Sequence, residues 1–245
     1  MSGADDAIAV VTGASAGIGE AIAQQLLALG LTVMTLQRSR PALEHPKLLF
    51  RAVDLADMNA TEQVAMQVAR DYPVRYLVNN AGANCPALLE DATIAEMEYV
   101  TRITLGAAML LSQAFVPSMR EARFGRIVNI SSRAALGKMG RVVYATAKAG
   151  LIGMTRTVAI ETGGDGITVN AVVPGPVETT HFNRGHPLGS VQRQTVIDMV
   201  LVRRLGTPND IARAVLFLLD ESSGFITGQA LFVCGGTSIT GTGGQ

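Results

Sequence analysis

The sequence has little of what stapled, metal-bound or strongly charged proteins rely on. Its 245 residues contain two cysteines, Cys85 and Cys234, far apart and in no CxxC pair. That argues against a disulfide framework or a structural zinc site and fits a reducing compartment. No histidine or carboxylate set has metal-ligand spacing, so no metal is expected. Charge is balanced at 20 basic against 20 acidic residues, with no block of either sign. This leaves no electrostatic footprint for nucleic acid or an anionic membrane. The most apolar long run, residues 103–119 (ITLGAAMLLSQAFVPSM), is broken by Ser112, Gln113 and Pro117 and reads as a buried helix, not a membrane span. The opening MSGADDAIAVV has no basic region and is too short for a signal peptide, so a cytoplasmic protein is expected. No Pro/Ser-rich linker and no repeat divides the chain. One domain over residues 1–245 is the simplest expectation.

What is present is apolar sequence in short runs. The apolar fraction is 48%, enough for a large core. Runs recur at 7–11, 32–36, 48–53, 75–78, 126–130, 167–173 and 230–234, most followed by a helical pattern or a loop. Such runs suit strands buried on both faces of a parallel sheet. Their alternation with helices predicts an α/β fold of the doubly wound, Rossmann type, with about seven strands and helices on both faces. The least regular stretch, about 178–206, is expected to be a substrate loop.

Between the first run and the first helix lies VVTGASAGIGEAIAQQL. Gly13, Gly17 and Gly19 form a TGxxxGxG pattern. Glycines there let the backbone turn sharply and approach a pyrophosphate, while the following helix N-terminus offers free N–H groups. The strand–turn–helix setting is what gives a glycine cluster this meaning. Further on, Tyr144 and Lys148 of YATAK stand at i and i+4, on one face of a predicted helix. A free tyrosine titrates near about 10. A neighbouring ammonium would favour the phenolate, and lowering the pKa by roughly three units is worth about 4 kcal/mol.

Taken in order, these motifs resemble the short-chain dehydrogenase/reductase family, and within it the 3-oxoacyl-acyl-carrier reductases. The resemblance covers nearly the whole chain: TGASAGIG (12–19), NNAG (79–82), ISS (130–132), YATAK (144–148), PG (174–175), RRLGTPNDIA (203–212) and GFITGQALFVCGG (224–236). It implies an NAD(P)-dependent oxidoreductase with Ser132, Tyr144 and Lys148 as catalytic residues, Lys148 also bonding the nicotinamide ribose. It implies cofactor contacts from Gly13, Ser15, Gly17, Ile18 and Gly19, and from Asp54 and Leu55. Asn80, Ala81 and Gly82, with Asn79 beside them, would shape the cofactor wall. Pro174, Gly175, Val177 and Thr179 would hold the nicotinamide. A homotetramer with the 97–119 and 144–162 helices and the C-terminal strand at its interfaces is implied as well.

Several positions carry the finer expectations. Gln37 ends the second strand where an acidic residue would select NAD(H), and Arg38 follows it; NADP(H) is favoured through bidentate contact with the 2′-phosphate, and NAD(H) is the alternative. Arg40 would assist. Ser132 lies 12 residues before Tyr144 and Ser131 lies 13 before, the family's usual spacing. A one-residue deletion in the intervening loop favours Ser132, and strand alternation lets only one of the pair face the site. Thr104 stands where many relatives carry a relay asparagine, and Arg75 where they often carry aspartate. The expected reaction interconverts a ketone, or a 3-oxoacyl thioester, and a secondary alcohol. His181, Arg184, His186, Arg193 and Met199 of the loop either meet an acidic substrate or are solvated. The rival readings are an NAD-dependent catabolic alcohol dehydrogenase and a non-catalytic nucleotide sensor.

Overall fold

Seven parallel strands form one sheet, in a computed structural model that describes residues 7–240. They are β1 (Ile8–Thr12), β2 (Thr32–Gln37), β3 (Leu48–Ala52), β4 (Val74–Asn79), β5 (Gly125–Ile130), β6 (Ile167–Pro174) and β7 (Ala230–Val233). Their order is β3-β2-β1-β4-β5-β6-β7. Every expected run is a strand, with ends shifted by one residue or so. The inner strands β1, β5 and β6 are buried along their whole length, while the edge strands β3 and β7 are partly exposed. Burial on both faces is why the inner strands read as continuous apolar runs.

The helices are α1 (Gly17–Ala28), α2 (Met58–Asp71), α3 (Ile94–Thr101), α4 (Ala107–Glu121), α5 (Val142–Thr162), α6 (Thr180–Gly185), α7 (Val191–Asp198) and α8 (Pro208–Leu219). Alternation along the strands divides the core in two. Ala9, Val11 and Val33 pack with Ile22 and Leu26 of α1 and Ile211 and Val215 of α8. Ile8, Val10 and Met34 face the other way, against Val68 of α2 and Leu111, Phe115 and Met119 of α4. Burying each such side chain contributes about 1.5–3 kcal/mol. The stretch Ile94–Glu121 is long and apolar enough to cross a bilayer by length and composition alone. Here Leu111, Phe115 and Met119 are fully buried against the sheet instead.

Stretch 178–206 is more regular than its sequence suggests, because it holds α6 and α7. Each starts on a hydroxyl cap: Thr179 Oγ1 accepts from the Phe182 N–H, and Ser190 Oγ from the Arg193 N–H. Helices of six and eight residues are too short to display a readable apolar period. The strand order reverses between β1 and β4, whose C-terminal ends therefore open onto a crevice. The loops after β1, β4, β5 and β6 all meet there.

Candidate active site

The turn after β1 is built to bring backbone close to a ligand. Gly13 has φ +66°, a left-handed conformation that favours glycine. A Cβ on Gly19 would lie 2.4 Å from the Gly13 carbonyl oxygen and 2.5 Å from Asn80 Nδ2, so only glycine fits. Asn80 Nδ2 donates to the carbonyls of Thr12 and Gly13, and Thr12 Oγ1 accepts from the N–H groups of Asn80 and Ala81. The turn is thus laced to the end of β4. Ala16, which precedes α1, supplies no side-chain cap, so the leading N–H groups of that helix keep no side-chain partner. A backbone cradle followed by an uncapped helix start fits a dinucleotide pyrophosphate. Ser15 is exposed beside it, Ile18 lines the adjoining cleft, and Thr179 Cγ2 lies over Gly17.

The nucleotide end is less closed. Arg38 is exposed and forms no ion pair among the described residues. Arg40 lies over the Phe50 ring, 5.6 Å from its centre. Gln37 turns inward, its Oε1 accepting from the Ala14 N–H at 2.7 Å, while its buried Nε2 has no partner among the described residues. Asp54 is exposed and accepts from the Ala56 N–H; the cap of α2 is Asp57. Leu55 is buried. Asn79, expected in the cofactor wall, points elsewhere: its Nδ2 donates to Asn129 Oδ1, and Asn129 Nδ2 to Thr155 Oγ1. This buried chain ties β4 and β5 to α5. Arg75 pairs with no carboxylate among the described residues, and its guanidinium donates to the Val74 carbonyl.

Across the crevice, β5 and α5 bring Ser132, Tyr144 and Lys148 into one cleft of about 770 Å³. The Ser132 hydroxyl stands near enough to the Tyr144 side chain to bear on its titration, and its Oγ accepts from the Ala134 N–H. Ser131 faces away, its Oγ donating to the Lys148 carbonyl at 2.7 Å. Strand alternation thus separates the two serines. Lys148 is 3% exposed, and its Nζ donates to the Ile130 carbonyl at 2.6 Å. Burial pulls its pKa down to about 8. From the sequence a lowered tyrosine pKa is expected; the structure gives a raised one. Burial pushes Tyr144 up, opposed by the nearby Ser132 hydroxyl and the Arg141 charge. The Lys148 ammonium sits 5.8 Å from the centre of the Tyr144 ring.

The cleft is closed by Pro174, Gly175 and Val177 after β6 and by the two short helices. Among the loop's polar residues, His181 and His186 line it, with His186 stacked on Phe182. Arg193 does not. It is 8% exposed, paired with Glu178 and bonded to Asn183 Oδ1, so it locks α6 to α7. Met199 lines the cleft as well.

A family model described as enoyl-(acyl carrier protein) reductase matches residues 13–238. The (2S)-[(R)-hydroxy(phenyl)methyl]succinyl-CoA dehydrogenase subunit BbsD of Thauera aromatica is 35% identical, over 97% of this chain and 98% of that one. The 3-oxoacyl-[acyl-carrier-protein] reductase FabG of Rickettsia bellii is 36% identical, over 93% and 95%. The chain belongs to the short-chain dehydrogenase/reductase family. It is an NAD(P)-dependent oxidoreductase. A solved structure from Beutenbergia cavernae, provisionally described as an NAD(P)-dependent gluconate 5-dehydrogenase and holding NADP at low occupancy, matches with TM-score 0.88 and 32% identity, over 94% and 96% of the two chains.

Thr104, expected from the sequence at the relay position, has an uncommon backbone setting. It lies in a π-helical turn, Arg102–Gly106, joining α3 to α4. Its buried Oγ1 has no hydrogen-bond partner among the described residues. A Cβ on Gly82 would lie 3.5 Å from that oxygen and 3.3 Å from Lys148 Nζ, so the two groups converge on one glycine. Sequence reading missed the other wall of the cleft: Asn84, Lys138, Met139, Arg141 and Thr237. Their loops carry no periodic signal, and only the fold brings them to Tyr144.

Proposed function

We propose that the chain interconverts a ketone or 3-oxoacyl thioester and a secondary alcohol, with NADP(H) as hydride carrier. One observation supports this reading: Ser132, Tyr144 and a buried Lys148 line a single cleft next to the glycine turn. The nicotinamide supplies or accepts the hydride. Ser132 orients the substrate oxygen, and Tyr144 gives it a proton in reduction and removes one in oxidation. The Arg141 guanidinium favours the phenolate left behind, and the Lys148 ammonium, 5.8 Å from the ring centre, would add to it. Lys148 would hold the nicotinamide ribose, exchanging the Ile130 carbonyl for its hydroxyls. Thr104 takes the relay position. Gly13, Gly17 and Gly19 with the α1 N-terminus would hold the pyrophosphate, Asp54 the adenine edge, and Val177 and Thr179 the carboxamide. Tyr144→Phe should lower kcat by about 10²- to 10⁴-fold while the cofactor Kd stays within about twofold. Undiminished kcat in stopped assays of NADPH absorbance overturns the assignment.

NADP(H) is favoured by an exposed Arg38 without a counterion, next to a neutral Gln37. Charge-assisted bonds of this kind are worth roughly 10- to 100-fold in affinity. kcat/KM for NADPH should exceed that for NADH by such a factor, and Arg38→Asp should reverse the preference. A strong wild-type preference for NADH would favour the catabolic alcohol dehydrogenase reading. The chain would act as one dinucleotide-binding unit with the 178–206 segment as its lid. Exposed apolar Met109, Ile160 and Phe225 support the homotetramer, and the free thiols of Cys85 and Cys234 support a cytoplasmic setting.

A further inference from the structure

The charges around the substrate end of the cleft are all of one sign. Arg133, Lys138, Arg141 and Lys148 line it, with His181 and His186, and among the described residues no aspartate or glutamate does. Lys148 is committed to the Ile130 carbonyl. Arg133, Lys138 and Arg141 take part in no ion pair among the described residues. Arg141 reaches only the carbonyl of its neighbour Gly140. The three are close enough to feel one another: partial burial, and then the guanidinium charges of Arg141 and Arg133, hold the Lys138 ammonium below the ordinary lysine range. Like charges gathered beside a cleft without a counterion are unfavourable. Elsewhere the chain does pair such groups: Arg193 in the lid has Glu178, and Arg204 has Asp210.

The loop that carries the three cations is held at both ends. The Ala134 N–H donates to Ser132 Oγ, the Gly137 N–H to the Ala134 carbonyl, and the Ala87 N–H to the Gly140 carbonyl. Arg133 directly follows Ser132, and Arg141 stands three residues before Tyr144. The positive charge is therefore fixed next to the two hydroxyls that would meet the reacting oxygen, away from the glycine turn.

We propose that Arg133, Lys138 and Arg141 form an anion anchor, and that the carbonyl substrate carries a negatively charged group, carboxylate or phosphate, beyond its reacting carbon. This rests on the oxidoreductase reading above and names the substrate class for that same site. A fixed group of cations pays for part of the orientation of hydride acceptor and proton donor, because the anion holds the carbonyl against Ser132 and Tyr144. Guanidinium and ammonium groups bind either anion, so the two sources are separated by experiment.

The purified protein with NADPH is assayed on matched pairs: 2-, 3- and 4-oxo acids against their methyl esters, and 3-oxoacyl-CoA against the 3-oxoacyl N-acetylcysteamine thioester. A kcat/KM ratio of about 10-fold or more in favour of the oxo acid supports the anchor with a carboxylate; the same ratio in favour of the CoA thioester supports it with a phosphate. In Arg133→Gln/Lys138→Gln that ratio should fall by about 10-fold, with the loss mainly in KM. Equal turnover within every pair, or a ratio unmoved by the double variant, overturns the anchor but leaves the reaction standing. Failure to turn over any ketone while NADPH binds overturns the reaction reading and the anchor with it.

Discussion

Two turns face each other across the crevice, and they are built on opposite plans. The turn after β1 is uncharged, bound by four hydrogen bonds between Thr12, Gly13, Asn80 and Ala81, and has no room for a single added methyl at Gly19. The loop after β5 is held by backbone bonds at its start and at Gly140 and crowds three cations around open space. The first presents backbone to its ligand, so its shape is part of the fold. The second presents side-chain charge, which can be altered with little cost to the packing. A site made this way keeps one partner fixed and leaves the other adjustable.

That contrast can be broken at either turn. The largest effect is expected at Gly19→Ala. Its Cβ would overlap the Gly13 carbonyl, and overpacking of this kind costs about 1–3 kcal/mol or more. Urea unfolding should show that loss, and cofactor titration a weakening of about 100-fold; a variant of wild-type stability and affinity would mean that the turn is slack.

Between the turns stands Lys148, whose charge is stabilised by neither. Its pKa in the folded chain, about 8, lies below its ordinary value of 10.5. The unfolded chain therefore binds the extra proton between these values, and this group's contribution to stability rises as pH climbs from about 8 to about 10.5, by about 3 kcal/mol. Below that window the buried charge is a constant cost. Measured against pH, the rise should disappear in Lys148→Met. Were it to persist unchanged, the lysine would not be the buried titrating group.

The smallest effect sharpens the comparison from the other side. Arg133→Gln/Lys138→Gln removes mutually repelling charges from partly exposed positions, so unfolding free energy should change by no more than about 0.5 kcal/mol, in either direction. A loss of several kcal/mol would show that the loop is structural, like the glycine turn.

Much of this was readable from residue types and their order. The seven strands are legible because burial on both faces demands continuous apolar runs. The glycine turn is legible because a left-handed residue and a close approach leave glycine as the only choice at their positions. Tyr144 and Lys148 share a helix face by spacing alone. Asn79 and Arg193 were misread for the same reason as each other: both are polar, and only their partners, Asn129 and Glu178, reveal that they serve the interior. The direction of the Tyr144 pKa was also out of reach, since burial is a property of everything packed around the ring and not of the motif.

By itself, the sequence determined the parallel α/β sheet, the glycine turn between its first strand and helix, and the shared helix face of Tyr144 and Lys148, because each depends on local backbone limits or a short period. Only the tertiary structure decided which serine meets the tyrosine, that Thr104 and Lys148 converge on Gly82, and that three cations from an irregular loop stand together without a carboxylate. Those facts depend on how the loops and helices around the crevice turn and bury their side chains, which packing sets and the neighbours each residue has in sequence do not.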